Sequence, residues 1–203
     1  MLVGPKYKIC KRLGASVFEK CQTAKFQLAE ARAPRRTRPK RGGNSDFGAQ
    51  LLEKQKARFT YGLTESQFSR YAHEAMEKRG SQSSSSLLVR LESRLDNVVY
   101  RAGLVKTRRA ARQLVSHGHI TVNGRRMTVP SHCVAVGDVI AVRPESRTSP
   151  LFINRAEQMA EQKTPAWMQF EEGGLSLKIT SAPVLSETEV PFNAAVIIQF
   201  YSR

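Results

Sequence analysis

A helix with marked ends, followed at once by a tight turn, constrains the fold of this chain more than any other stretch. Thr107 is a favourable helix N-cap, and Gly118 is a favourable residue just beyond a helix C-terminus. Helical spacing puts small and apolar residues on one face and arginines on the opposite one: Ala110, Ala111 and Leu114 against Arg108, Arg109 and Arg112. The sequence therefore predicts a helix that packs on a core and turns positive charge away from it.

A β-hairpin is predicted directly after this helix. Asn123-Gly124 follows the β-branched run Ile120–Val122, and this pair suits a type I′ turn, whose two central residues both need positive φ. Val134–Val142 supplies a further apolar strand. Helices and strands in this arrangement indicate an α+β fold class. A compact core with a cationic helix beside a hairpin suits a phosphate backbone better than a small-molecule pocket.

Positive charge is concentrated in the first two-thirds of the 203 residues. The net charge is +16, which indicates a polyanionic partner. Residues 1–60 contribute +11, residues 61–143 contribute +7 and residues 144–203 contribute −2. The binding surface is therefore expected before residue 144, and the last third is expected to serve packing or protein contacts.

Apolar runs and cysteines set further bounds. The longest apolar run, Ala194–Ile198, is strand-sized and falls far short of the roughly 18 residues that span a bilayer. The Ala195–Tyr201 stretch, taken as a strand, is too apolar for an open sheet edge and must be paired or covered. Three cysteines predict a reduced compartment without a disulfide framework.

Two helices are predicted between residues 46 and 80. The first covers residues 46–58, with Phe47, Leu51 and Leu52 inward and Lys54, Lys56 and Arg58 outward. The second begins at Thr64, which forms a capping box with Gln67. Its stripe of aromatic and small residues is more typical of a core than of a base-stacking platform, since such platforms usually lie on strands.

Polar and basic segments flank these helices. Residues 1–44 are expected to be a basic extension. Residues 33–43 are expected to be disordered when free and to order only against phosphate, because they carry like charges, Pro and Gly and almost nothing apolar; a nuclear-localisation-like or linker segment is the alternative. Residues 81–86 are expected to connect two domains. Further elements are predicted as a helix over 87–99, a helix over 154–162, and strands over 167–170 and 175–179.

Three stretches of the middle region resemble the S-four RNA-binding domain: Arg94–Arg101, Ala111–His117 and Val122–Gly124. That module is shared by ribosomal proteins, pseudouridine synthases and a tyrosyl-tRNA synthetase tail, so it implies RNA binding without selecting among them. Outside the module the chain resembles, from end to end, the S-four family of small-subunit ribosomal proteins: Gly4–Lys6, Asp46–Gly48, Glu53–Lys56, Tyr61–Glu65 and Phe200–Arg203.

The resemblance, together with composition, implies a division of the chain. A basic extension over 1–44 precedes a helical RNA-binding domain over 45–92, which part of 157–203 is expected to complete. An S-four RNA-binding domain is expected over 93–156, and C-terminal strands and a packing segment over 157–203.

The resemblance also implies a role. The implied protein is a structural, non-catalytic constituent of the small ribosomal subunit in the cytoplasm. It binds small-subunit ribosomal RNA at a helical junction, nucleates assembly, and lies near the messenger RNA entry path beside other small-subunit proteins. A bacterial and an organellar ribosome both stay open, as does repression of its own messenger.

Arginine and lysine are the expected RNA ligands of this chain. Arginine can fork onto two phosphate oxygens or stack on a base, and neutralising phosphates makes binding salt-dependent. Predicted contacts lie on the cationic helix, the hairpin turn, the helix over 46–58 and the basic extension: Lys106, Thr107, Arg108, Arg109, Arg112, Gln113, Ser116, His117, Asn123, Gly124, Arg125, Lys54, Lys56, Arg58, Arg35, Arg36, Arg38, Lys40 and Arg41.

Other functions receive less support. Cys10 and Cys21 could suggest zinc, but a structural site needs four ligands and Cys133 is distant in sequence, so neither metal nor cofactor is expected. Asp96 is expected to form a helix-surface ion pair rather than to act as a general base.

An RNA-modifying enzyme would need a catalytic domain larger than the 60 residues after position 143. A free RNA chaperone is the second alternative.

Overall fold

The computed structural model describes residues 3–32, 45–77, 83–153, 165–171, 174–184 and 190–202. The chain divides into two compact units, one formed by residues 1–87 with 185–203 and the other by residues 88–184. The chain therefore begins the first unit, builds the second, and then returns to the first. Among the described residues, no helix is both long and apolar enough to cross a membrane.

Among the described residues, helices predominate and all the strands belong to the second unit. The described helices are α1 (Lys6–Leu13), α2 (Ala24–Arg32), α3 (Asp46–Tyr61), α4 (Glu65–Glu77), α5 (Ser83–Glu92), α6 (Leu95–Arg101), α7 (Arg108–Ser116), α8 (Pro150–Ile153) and α9 (Ala194–Tyr201). The described strands are β1 (Ile120–Val122), β2 (Arg125–Met127), β3 (Val139–Val142), β4 (Met168–Phe170) and β5 (Ser176–Ile179). Helices and strands segregate in this way in an α+β fold, which confirms the predicted class.

The last helix, α9, packs on α3 and α4 and completes the core of the first unit. Ile197 is fully buried, and Phe192 meets the ring of Tyr61 edge-on with the ring centres 6.1 Å apart. Asn193 caps the helix, since its side-chain oxygen accepts hydrogen bonds from the N–H groups of the first turn. The strand predicted here is wrong, because this cap and the packing against α3 outweigh the strand preference of β-branched residues.

Residues 3–32 form a small folded cluster rather than a purely basic extension. Cys10, Phe18, Cys21 and Phe26 are buried together, and Phe59 of α3 packs against them. This part of the N-terminal region therefore has a core of its own, because widely spaced aromatic residues meet once the helices form. Residues 33–44, which include the run predicted to be disordered when free, lie outside the described residues.

Two of the three cysteines are paired. Cys10 and Cys21 form a disulfide between α1 and the 3-10 turn at Glu19–Cys21. The expectation of a chain without disulfides is therefore wrong for this pair, which the folding of the N-terminal cluster brings together. Cys133 is a free, exposed cysteine in the second unit.

The described strands of the second unit form an antiparallel sheet in the order β2-β1-β3-β5-β4. The strands predicted over 167–170 and 175–179 are present as β4 and β5. The helix predicted over 154–162 lies outside the described residues. The sheet shares one core with α6 and α7, and its fully buried members include Leu95, Val98, Val99, Ala111, Val115, Ile120, Ile140, Val142 and Leu177.

The helix predicted over 87–99 is two helices with a break at Ser93–Arg94. The first N–H groups of α6 donate to the loop after β2, with Leu95 bonded to the carbonyl of His132 and Asp96 to that of Pro130. This pairing satisfies donors that a helix start leaves open, so it favours the break. The serine-rich segment is also not a simple connector, because residues 83–86 form the first turn of α5.

Candidate nucleic-acid interface

The cationic helix forms as the sequence predicts. The Thr107 hydroxyl accepts a hydrogen bond of 3.1 Å from the N–H of Ala110, and Gly118 has a φ of +75° just past the helix end. Its apolar face is buried through Ala111, Leu114 and Val115. No acidic residue lies on α7, so nothing within the helix neutralises its arginines.

The three arginines of α7 differ in their surroundings. Arg109 is exposed, whereas Arg108 and Arg112 are half-buried. Arg108 donates from Nε to Oδ1 of Asn97 at 2.9 Å, and its guanidinium carbon lies 4.3 Å from the centre of the Tyr100 ring. These two groups are neutral, so they set the orientation of Arg108 without contributing an opposing charge.

The hairpin turn is of the predicted type. Asn123 and Gly124 have φ values of +50° and +78°. The side chain of Asn123 is used within the fold, because it donates to Asp138 at 2.8 Å and accepts from the N–H of Val139 at 2.9 Å. Of the residues predicted at this turn, Arg125 and Gly124 are exposed without such a bond among the described contacts.

Arg126 joins the hairpin to the end of α7. One of its terminal nitrogens donates to the carbonyl of His117 at 3.3 Å. A Cβ at Gly118 would displace this flexible guanidinium group, and the φ of +75° at Gly118 itself favours glycine. Arg126 is exposed but was absent from the predicted contacts, and its position next to Arg125 in the sequence is the signal that could have found it.

The cationic side of α7 and the adjoining hairpin together form one surface, which we call the α7–hairpin surface. Lys106, Gln113 and His117 are exposed on it, and the Ser116 hydroxyl donates to the carbonyl of Arg112 at 2.9 Å. Its cationic and polar members are Lys106, Arg108, Arg109, Arg112, Gln113, His117, Arg125 and Arg126.

The cations of α3 are placed differently from those of α7. Lys54 is only 6% exposed, with Nζ 2.6 Å from a Glu65 carboxylate oxygen and 4.4 Å from the centre of the Phe200 ring. Its predicted outward orientation is wrong, because α9 covers this face and Glu65 supplies a counter-charge. The two neighbouring cations are also paired, Lys56 with Glu53 at 2.6 Å and Arg58 with Glu65 at 3.6 Å.

Burial and charge act together on the Glu65–Tyr201 pair of the first unit. Burial acts to raise the pKa of Glu65, but hydrogen bonds from Lys54 and Tyr201 and the charges of Lys54 and Arg58 outweigh it and lower this pKa. Burial and the Glu65 carboxylate raise the pKa of Tyr201 above its ordinary value. Glu65 is therefore ionised and Tyr201 neutral at neutral pH, which keeps Lys54 paired.

Five predicted RNA contacts belong to the basic run that precedes α3. Arg35, Arg36, Arg38, Lys40 and Arg41 lie outside the described residues. In the part of the chain that the structure describes, no three His, Cys, Asp or Glu side chains are grouped so as to hold a metal ion. Asp96 forms an ion pair with Arg94 at 2.7 Å, but this pair is buried rather than on the helix surface.

Comparison with known proteins agrees with this arrangement. A family model described as the S4 domain matches residues 93–140, and one described as the ribosomal protein S4/S9 N-terminal domain matches residues 1–92. The small ribosomal subunit protein uS4 of Roseiflexus castenholzii is 44% identical over 203 residues, covering 99% of this chain and 98% of its own length. The protein of the same name from Acetivibrio thermocellus is 42% identical, over 98% of this chain and 98% of its own length. The one from Corynebacterium kroppenstedtii is 50% identical, over 78% of this chain and 79% of its own length.

A helical unit joined to a small α/β module with a cationic helix and hairpin defines an RNA-binding protein of the S4-domain class. Within that class, the chain belongs to the uS4 family of small ribosomal subunit proteins. Its role is structural and non-enzymatic.

Proposed function

We propose that this protein binds small-subunit ribosomal RNA through the α7–hairpin surface and nucleates assembly of the small subunit. The observation that carries the proposal is the separation of apolar and cationic faces on α7, with Leu114 and Val115 in the core and Arg109 exposed. Folded RNA is recognised largely by shape and phosphate contacts, which suits a rigid cationic helix beside a fixed hairpin. The target we propose is a helical junction of that RNA.

The surface has the internal bonds needed to stay rigid when it binds. Arg126 ties β2 to the end of α7, and Asn123 ties the turn to β3. A surface that is ordered before binding loses less conformational entropy when it meets RNA. Affinity should therefore come from phosphate neutralisation by Arg and Lys rather than from folding of these elements on binding.

A salt titration of the intact protein tests RNA binding. Filter binding to an in vitro transcript of the small-subunit ribosomal RNA should give an affinity that falls linearly with salt on a log–log plot. The slope should be about −0.7 to −0.9 for each phosphate neutralised, because bound cations release counterions. An affinity that does not change with salt would contradict binding through this surface.

The role in assembly needs a separate test. Reconstitution of the small subunit with this protein omitted should stall before a complete particle forms, and adding it back should restore the particle in a sedimentation gradient.

We further propose that the protein lies near the messenger RNA entry path beside other small-subunit proteins and acts in cytoplasmic ribosomes. Crosslinking of purified subunits to messenger RNA would test that location.

A further inference from the structure

Arg108 of the α7–hairpin surface is held by two side chains of α6. Its Nε bonds to Asn97 Oδ1 at 2.9 Å, and its guanidinium lies over the Tyr100 ring at 4.3 Å. Asn97 and Tyr100 are three residues apart on one helix, so they lie on the same side of it. Two contacts on one guanidinium group, a hydrogen bond and a cation–π contact, together restrict its orientation.

Asn97 is itself fixed by a buried carboxylate. It is 2% exposed, and its Nδ2 donates to Glu92 Oε2 at 2.6 Å and to the Glu92 carbonyl at 3.3 Å. An ionised carboxylate only accepts hydrogen bonds, so the amide nitrogen must face Glu92 and the amide oxygen must face Arg108. The hydrogen bonds to Glu92 and Arg108 therefore set the orientation of the Asn97 amide.

The carboxylate of Glu92 is in turn balanced by Arg101. Arg101 donates to both carboxylate oxygens, at 2.9 and 3.0 Å, in a bidentate ion pair. This pairing compensates the charge of Glu92, which is fully buried. The positive charge of Arg101 is thus used inside the fold, and the amide of Asn97 links this ion pair to Arg108.

We propose that Asn97, anchored by Glu92, is a positioning residue that sets the orientation in which Arg108 meets an RNA phosphate. The inference rests on the proposed function, because it concerns how the α7–hairpin surface binds RNA. A guanidinium group binds phosphate through a planar fork, so its orientation decides whether two hydrogen bonds form or one. Ordering it beforehand also reduces the entropy that binding costs.

The neighbouring Arg109 provides an internal control. It is exposed on the same helix, and no described contact ties it to Asn97 or Tyr100. Lysine at either position keeps the charge but lacks the planar fork. Arg108→Lys should therefore weaken RNA binding several-fold more than Arg109→Lys, while both variants keep the salt slope of the unsubstituted protein.

A double-mutant cycle in the full chain tests the positioning role. Binding to an in vitro transcript of the small-subunit ribosomal RNA is measured by filter binding for Asn97→Ala, Arg108→Ala and the combined variant. A second cycle pairs Asn97→Ala with Arg109→Ala. Asn97→Ala should weaken binding roughly 3- to 10-fold alone and in the Arg109→Ala background, but less than about 2-fold in the Arg108→Ala background.

The outcomes separate this inference from the proposed function. If Asn97→Ala costs the same in both backgrounds, Asn97 does not act through Arg108 and the positioning role is wrong, whereas binding through the surface still stands. If Arg108→Ala and Arg109→Ala both bind the transcript like the unsubstituted protein, the surface itself is wrong and the positioning role falls with it.

If a thermal melt shows that Asn97→Ala is unfolded at the assay temperature, a second pair of variants tests whether α6 positions Arg108. Tyr100 is half-buried, and Tyr100→Phe keeps a ring beneath Arg108 whereas Tyr100→Leu removes it. Tyr100→Leu should weaken binding roughly 2- to 10-fold, with the loss absent in the Arg108→Ala background, and Tyr100→Phe should bind normally. Equal affinity of the two variants would contradict the positioning of Arg108 by α6.

Discussion

Helices α3 and α7 each carry three cations within five residues, yet the fold uses the two sets in opposite ways. In α3, Glu65 neutralises Lys54 and α9 covers it. In α7, Arg109 is exposed, and an amide and an aromatic ring orient Arg108 without adding an opposing charge. A cation therefore becomes a binding group or a packing group according to the groups that the fold brings against it.

Removal of α9 should have the largest effect on stability, because this helix covers α3. A chain ending at residue 189 loses Phe192 and Ile197, each worth about 1.5–3 kcal/mol when fully buried. Against a total stability of about 5–15 kcal/mol, the first unit should lose its cooperative thermal transition. Circular dichroism melts would show this. Deletion of only residues 202–203 is the control and should melt like the full chain.

Phe18→Ala should come next and tests whether the N-terminal cluster is part of the unit that contains α3. Phe18 is buried and meets the Phe59 ring edge-on with the ring centres 6.1 Å apart. The substitution should lower the free energy of unfolding by about 3 kcal/mol, as is usual for Phe→Ala in a core. Leu28→Ala, at an exposed position of α2, should change it by less than about 0.5 kcal/mol. Urea unfolding curves that shift equally for both would mean that residues 3–32 do not fold against α3.

Two matched lysine substitutions, one on each surface, should separate an effect on stability from an effect on RNA affinity. Lys54→Met keeps the buried stem and removes the charge, so it should cost about 1 kcal/mol of stability and leave RNA affinity unchanged. Lys106→Met, at the exposed start of the α7–hairpin surface, should do the reverse and weaken RNA binding without changing the melt. Paired melts and filter-binding titrations measure both effects, and weaker RNA binding by Lys54→Met would contradict its assignment to the core.

The smallest effect concerns pH. Because the folded state lowers the pKa of Glu65, the stabilisation from its ionised form is present above the ordinary glutamate pKa and is lost as the pH falls through the folded-state value. Glu65→Gln removes this contribution, so its stability should fall less steeply on acidification than that of the unsubstituted protein. Denaturation midpoints measured from neutral to acid pH test this, and parallel curves would show that Glu65 is not the group responsible.

The features that the sequence alone could predict depend on interactions between residues close together in the chain. The start of α7 follows from the Thr107 hydroxyl, and the hairpin from the backbone needs of Asn123-Gly124, so both depend on residues within a few positions of one another. The alternation of apolar and cationic residues on α7 likewise needs no distant partner. These features include the helix and turn of the proposed RNA-binding surface.

Interactions between distant residues account for what the sequence could not predict. Glu65 lies 11 positions from Lys54 and Tyr201 lies 136 positions from Glu65, so no local pattern shows that this lysine is buried. The break between α5 and α6 depends on carbonyl groups of residues 130 and 132, which are far along the chain. The positioning of Arg108 by Asn97 spans 11 positions and two helices. Each depends on how elements pack, which periodicity does not encode.

The most direct test of the contrast between α3 and α7 is the salt dependence of RNA binding in two charge-matched triple variants. One carries Arg108→Gln, Arg109→Gln and Arg112→Gln, and the other carries Lys54→Met, Lys56→Gln and Arg58→Gln. Filter binding to the small-subunit ribosomal RNA transcript is measured from low to high salt, after melts confirm that both variants are folded at the assay temperature.

The α7 variant should bind more weakly and should flatten the log–log slope by about 0.7–0.9 for each phosphate that it no longer neutralises, while the α3 variant should keep the slope of the unsubstituted protein. An unchanged slope in the α7 variant, or an equal flattening in the α3 variant, would contradict the division of the two helices into a binding face and a packing face.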